Sequence, residues 1–325
     1  MLAIVCPGQG SQTPGFLKPW AEMPGVRERL AWLSAVASID LLAHGTESDA
    51  GTIQDTAVAQ PLIVAAGLSC LPLVCESPQQ VAGAVAGHSV GEITAAAVTG
   101  SLTPEQAMVL VRERGAAMAR AASLTPTGMS AVLGGDPQEV EAALEAEGLT
   151  GANMNGSGQV VAAGTLEQLA ALAADPPAGA RVVPLKVAGA FHTEHMAPAV
   201  ARLRELAAAL EPRIPATRLL SNADGAVVGE GQEVLRRLVN QVCSPVRWDR
   251  CQETLQALGV TGILELPPAG ALTNMAKRSL PDVERVALKT PDDLPAARDL
   301  VERHATPAPP EIGTRAVVGS ARGPR

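Results

Sequence analysis

Val81-Ala82-Gly83-Ala84-Val85-Ala86-Gly87-His88-Ser89-Val90-Gly91-Glu92-Ile93-Thr94-Ala95-Ala96-Ala97-Val98 changes character in its middle. Val81 to Ala86 is an apolar run of strand length, and Glu92 to Val98 reads as the opening turns of a helix. Between them stands Gly-x-Ser-x-Gly. Its two glycines permit a sharp turn that lifts a serine hydroxyl clear of the backbone and sets it at a helix N-terminus. Strand, turn and helix in this order predict an α/β fold with Ser89 as a nucleophile at the C-terminal edge of a sheet. The pentapeptide alone can arise by chance in a chain with 31 glycines, so its flanks carry the reading.

Outward from this turn, residues 1–124 alternate short apolar strands with helical segments, which favours a mostly parallel sheet covered by helices. Leu2 to Cys6 is the first strand. Pro7-Gly8-Gln9-Gly10-Ser11-Gln12 follows as the loop at its C-terminal end, where ligands gather in open α/β sheets. Pro61 to Leu73 is expected to be helical with Pro61 in the first turn, and Pro104 to Ala122 helical with Thr103 as its cap. The texture changes over residues 125–188. Strands at Met129–Leu133, Gly151–Met154, Gln159–Ala163 and Arg181–Val187 and helices at Pro137–Glu147 and Leu166–Ala173 give a βαββαβ order, the ferredoxin-like arrangement. The expectation is a small domain of residues 125–188 inserted into a large α/β-hydrolase-like domain of residues 1–124 and 189–305, with a disordered tail over residues 306–325.

Composition narrows the function classes. The chain is 47% hydrophobic and 18% charged, which fits a buried core rather than disorder. It contains no Tyr, so Ala, Val and Leu must pack that core. A net charge of −8 with dispersed Lys and Arg argues against a nucleic-acid partner. No apolar stretch is expected to reach the roughly 20 residues that span a bilayer, and Met1-Leu2-Ala3-Ile4-Val5-Cys6 lacks a basic leader. Five cysteines without a CxxC pair suit buried thiols in a reducing, cytoplasmic setting.

A serine hydroxyl needs a base within hydrogen-bond reach. Of five histidines, His88 adjoins Ser89 and points elsewhere, while His44 and His304 read as solvated. His192 lies in Gly189-Ala190-Phe191-His192-Thr193-Glu194-His195-Met196, where the insertion rejoins the large domain, a place for a cleft. His195 falls on a helix surface. The pair could bracket a metal, yet no third ligand stands at metal-site spacing, so no metal is expected.

Pro7-Gly8-Gln9-Gly10-Ser11-Gln12, Gly87-His88-Ser89-Val90-Gly91, Arg112-Glu113-Arg114-Gly115 and Gly189-Ala190-Phe191-His192 stand in the order and spacing of the malonyl-CoA:acyl carrier protein transacylases, which the chain resembles over roughly residues 1–290. The resemblance implies that Ser89 is acylated and that His192 is the base, oriented by the backbone carbonyl at Gln241 rather than by an acid. The side chain at 241 would then matter little. Backbone N–H groups of Gln9 and Val90 would form the oxyanion hole. Arg114 would hold the malonyl carboxylate through two parallel donors, while Arg112, on another helix face, would be solvated. Val90 and Ala190-Phe191-His192 accompany malonyl selection in related polyketide acyltransferase domains, which adds Phe191 to the substrate site.

The implied reaction is ping-pong transfer from malonyl-CoA to the phosphopantetheine thiol of an acyl carrier protein, for fatty acid or polyketide synthesis, with no metal or redox cofactor and a monomeric enzyme. Lys277 and Arg278 are candidates for carrier docking. A serine thioesterase or esterase is the rival, and a non-catalytic scaffold the other. One stretch departs from the family pattern: Glu265-Leu266-Pro267-Pro268-Ala269-Gly270 stands where Glu-Val-Gly-Pro-Gly is usual.

Overall fold

The computed structural model describes residues 1–306. The tail expected over residues 306–325 lies, beyond Thr306, outside the described residues. Among the described residues eleven strands form two sheets: β1 (Leu2–Cys6), β2 (Ala82–Gly87), β3 (Thr127–Gly134), β4 (Thr150–Gly156), β5 (Gln159–Thr165), β6 (Ala180–Pro184), β7 (Arg218–Leu220), β8 (Val227–Val228), β9 (Val246–Arg247), β10 (Gly262–Glu265) and β11 (Glu284–Ala287). The larger sheet has the order β11-β10-β1-β2-β7-β8. Its first five strands run parallel and β8 closes the edge antiparallel to β7.

Every residue of β1 is buried, as a strand covered on both faces requires. Its side chains alternate between two cores: Leu2, Ile4 and Cys6 point into one, Ala3 and Val5 into the other. With β1 and β2 adjacent and parallel, the Pro7–Gln12 loop and the Ser89 turn leave the sheet side by side.

The Thr56–Cys70 helix begins earlier than the proline suggested. Asp55 caps it by accepting from the Ala57 N–H at 2.8 Å, and Pro61 sits inside the helix. With the turn that follows, this helix gives an 18-residue stretch, Thr56–Leu73, apolar and long enough to cross a membrane, contrary to the sequence expectation. Its window is 72% buried within the protein, so it serves as a core helix. The Pro104–Ala122 helix starts as expected, with a reciprocal Thr103–Gln106 capping box. Gly115 lets it approach the Thr56–Cys70 helix: a Cβ there would stand 2.8 Å from the Thr56 carbonyl oxygen.

The smaller sheet has the order β6-β3-β5-β4-β9, with the first four strands antiparallel and two helices, Pro137–Ala146 and Leu166–Ala174, over a separate core. Ser157 and Gly158 both have positive φ and close the β4–β5 hairpin, the twist that two-residue hairpin turns favour. Its last strand, β9, comes from much later in the chain than the other four and runs parallel to β4. Thus the small sheet is completed by the segment that also carries Gln241.

Candidate active site

Both glycines of the Ser89 turn are required by backbone contact. A Cβ on Gly87 would lie 2.0 Å from the Gly91 carbonyl, and one on Gly91 would lie 2.1 Å from the Cys6 oxygen. Ser89 itself takes a left-handed φ of 52°, a strained conformation for a residue with a Cβ. Asn222, in the loop after β7, braces it: Oδ1 accepts from the Ser89 N–H at 2.8 Å and Nδ2 donates to the Gly87 carbonyl at 2.7 Å. Asn222 is fully buried, so these bonds have no solvent substitute.

His192 also has positive φ, 64°, and its N–H donates to the Val242 carbonyl at 3.1 Å. Its Nδ1 lies 2.8 Å from the Gln241 carbonyl oxygen, which can only accept, so the proton sits on Nδ1. Nε2 then carries the lone pair and stands 2.7 Å from Ser89 Oγ. Burial and the neighbouring Arg114 charge push the imidazole down to about 3, which keeps it neutral and available as a base.

Arg114 projects from the middle of the Pro104–Ala122 helix and is only 1% exposed. Its Nη1 donates to Gln60 Oε1 at 2.7 Å and its Nη2 to Gln241 Oε1 at 2.8 Å, with Ser89 Oγ 3.4 Å from Nη2. Burial pushes the guanidinium down to about 10, partly offset by the charge of Glu92. Buried Nε meets no acceptor among the described residues. The cation is therefore held by two neutral amides, with donor capacity left over beside the serine.

A cavity of about 90 Å³ opens above this pair, with Gln9, Val90 and Phe191 in its wall beside Ser89 and His192. The backbone N–H groups of Gln9 and Val90 donate to no acceptor among the described residues. Met129, Asn153 and Leu185 close the cavity from the smaller unit, so the cleft lies between the two sheets.

These residues can be set against proteins of known kind. The family model described as "Acyl transferase domain" matches residues 3–291. The malonyl CoA-acyl carrier protein transacylase of Mycobacterium tuberculosis (strain ATCC 25618 / H37Rv) is 50% identical over 297 residues, 90% of this chain and 98% of that one. The chain belongs to the malonyl-CoA:acyl carrier protein transacylase family. The Escherichia coli (strain K12) transacylase is 32% identical, covering 92% of this chain and 99% of its own. Among solved structures, that of MCAT from Mycobacterium tuberculosis superposes with a TM-score of 0.88 at 49% identity over 92% of this chain and 99% of that one. A type II PKS malonyl-transacylase in complex with its acyl-carrier protein gives a TM-score of 0.85 at 29% identity over 92% and 99%.

The structure bears on three of the sequence readings. The Gln241 side chain, expected to matter little, is bonded on every side: besides accepting from Arg114, its Nε2 donates to Glu92 Oε2 at 2.6 Å and to Asn222 Oδ1 at 3.1 Å. His304 is tied to Thr261 and Glu284 rather than solvated. Arg112 is half-buried and paired with Glu113 at 3.0 Å. His88 packs beneath the turn, edge-on to Trp248 with ring centroids 5.7 Å apart and 3.0 Å from Asn155 Oδ1. Lys277 and Arg278 are exposed at the end of the Ala271–Ser279 helix, and Arg278 borders a groove with the β4–β5 hairpin.

Sequence reasoning missed Asn222, Gln60, Glu92 and Asn153. Asn153 lines the cavity with an Oδ1 that meets no donor among the described residues. The one signal that could have found Glu92 was its place beside Gly91: a carboxyl in the first turn of a helix otherwise built of Gly, Ile, Thr, Ala and Val.

Proposed function

We propose that this protein transfers a malonyl group from malonyl-CoA to the phosphopantetheine thiol of an acyl carrier protein, for fatty acid or polyketide synthesis, through an ester on Ser89. The observation that carries this reading is the joint placement of a neutral His192 and an acid-free cation, Arg114, on the same serine oxygen. The Ser89 hydroxyl gives its proton to His192 Nε2 as Oγ attacks the thioester carbonyl. The imidazolium that forms is stabilised by the Gln241 carbonyl at Nδ1. The N–H groups of Gln9 and Val90 would meet the oxyanion, and His192 returns the proton to the departing CoA sulfur. The carrier thiol then attacks the ester by the same steps in reverse. This chemistry needs no metal or redox group.

Arg114 would receive the malonyl carboxylate and hold the ester away from water, with Phe191 packing on the acyl chain. Support comes from its burial and from the neutral amides that are its direct partners. The larger unit, residues 1–124 and 189–305, reads as an α/β-hydrolase-like domain. The order β6-β3-β5-β4 supports a ferredoxin-like insertion of residues 125–188. Lys277 and Arg278 would meet an acidic carrier, and charge reversal at both positions that left transfer to the carrier unchanged would remove that role.

Intact mass after incubation with malonyl-CoA, followed by holo carrier protein, tests the activity. The expected result is a malonyl adduct on Ser89 that survives in water and moves to the carrier. Rapid release as free malonate would mean a hydrolase, and no adduct would mean a scaffold.

A further inference from the structure

Arg114 raises a question that the transfer steps leave open. A buried guanidinium ordinarily acquires a carboxylate partner, and Glu92, 3% exposed, lies one side chain away. The two do not touch. The Gln241 amide stands between them, with Oε1 toward Arg114 Nη2 at 2.8 Å and Nε2 toward Glu92 Oε2 at 2.6 Å. Chemistry fixes this orientation. An arginine only donates, so the amide must present its oxygen to Arg114, and the nitrogen on its other side then meets an accepting oxygen of Glu92. Glu92 Oε2 is held in turn by the Asn222 N–H at 3.1 Å.

We propose that Glu92 is a positioning residue for malonyl selection: it locks the Gln241 amide so that a neutral oxygen, and no carboxylate, meets Arg114. The inference rests on the transferase reading above. The arrangement does two things at once. It keeps the guanidinium aimed at Ser89, and it leaves the positive charge to be paired by a substrate acid. Burial pushes the Glu92 carboxyl up to about 7, and hydrogen bonds from Asn222, Ser221 and Gln241 oppose that rise, which is consistent with a group retained for its contacts at a desolvation cost. Gln60 Oε1 serves as the second neutral acceptor on the other nitrogen.

Two conservative variants separate contact from charge. Glu92→Asp keeps the carboxylate and withdraws it by one methylene from Gln241. Glu92→Gln removes the charge and keeps an acceptor oxygen within reach. The readout is kcat/KM for malonyl-CoA over that for acetyl-CoA, with thermal midpoints as a check on folding. Glu92→Asp should lower this ratio about tenfold, the weight of one hydrogen bond to a charged group, and Glu92→Gln should stay within about threefold of the wild type. An unchanged ratio in Glu92→Asp, an equal fall for both substrates, or a larger loss in Glu92→Gln than in Glu92→Asp would each overturn the proposal. A wild-type protein that formed no malonyl-Ser89 ester would overturn the transferase reading and this inference with it. An active wild type with an indifferent Glu92→Asp would overturn only the role of Glu92.

Discussion

Replacing Asn222 by Ala tests whether the strained serine turn is held from outside. The substitution removes four side-chain hydrogen bonds: from the Ser89 N–H at 2.8 Å, to the Gly87 carbonyl at 2.7 Å, from Gln241 Nε2 at 3.1 Å and a weak one to Cys251 Sγ at 3.7 Å. Gln241 Nε2 keeps Glu92 as a partner. The two backbone groups of the turn do not gain another, and each orphaned buried group costs about 1–3 kcal/mol. The sum, roughly 2–6 kcal/mol, is a large share of the about 5–15 kcal/mol that separates folded from unfolded chains. With the left-handed φ at Ser89 no longer braced, Oγ can leave the line to His192 Nε2, and a displacement of about 1 Å is enough to cost on the order of a hundredfold in rate. A thermal melt reads the first effect. A loss near the middle of the range, about 4 kcal/mol, lowers the midpoint by roughly 6 °C. Single-turnover acylation by malonyl-CoA, quenched and followed by intact mass, reads the second. A midpoint within about 2 °C of the wild type together with acylation within about twofold would refute the bracing role, since neither the stability loss nor the displacement would then exist.

Three further outcomes follow from the same geometry. Arg114→Ala should cut malonyl transfer by about a hundredfold or more, the cost of leaving a desolvated acid unpaired, and acetyl transfer far less; equal losses measured with the two CoA esters would remove its carboxylate role. Gly115→Ala forces a Cβ against the Thr56 carbonyl at 2.8 Å, so the two central helices should part at a cost of about 1–3 kcal/mol, and malonyl transfer should fall with the melting midpoint; an unshifted melt would show that the helices have room. His192, held down to about 3 by burial and Arg114, stays neutral far below the free imidazole value, so protonation removes the base only in strong acid. Acylation by acetyl-CoA should therefore stay level from about pH 8 to about pH 5, and an acid limb centred near 6.5, the unperturbed histidine value, would contradict that.

How much of this the chain disclosed depends on the distance over which each feature is determined. The strand before Ser89 and the helix after it were legible because periodicity and glycine placement are local, and the β4–β5 hairpin and the Thr103 cap for the same reason. The start of the Thr56–Cys70 helix was misjudged, since Asp55 can cap it ahead of an internal proline that the helix tolerates. His192 was reachable by elimination among five histidines. Asn222 and Gln60 were not, because an asparagine in a loop or a glutamine on a helix has no pattern of its own. Their significance lies in partners 133 and 54 positions away. Gln241 shows the limit most clearly: its backbone role could be placed by resemblance, whereas its side chain acquires meaning only when Arg114, Glu92 and Asn222 converge on it.

The last strand of the small sheet bears on how the cleft can move. Val246 and Arg247 pair with Asn153 and Met154, and Asn155 reaches across to His88 under the serine turn. The two halves are thus stitched at the floor of the cleft, next to the chemistry, and a jaw-like hinge there would have to tear a β-ladder. A graft of residues 125–188 alone would leave the fifth strand of this sheet behind, so the natural unit of exchange is the sheet with its borrowed edge, and not the contiguous stretch of chain.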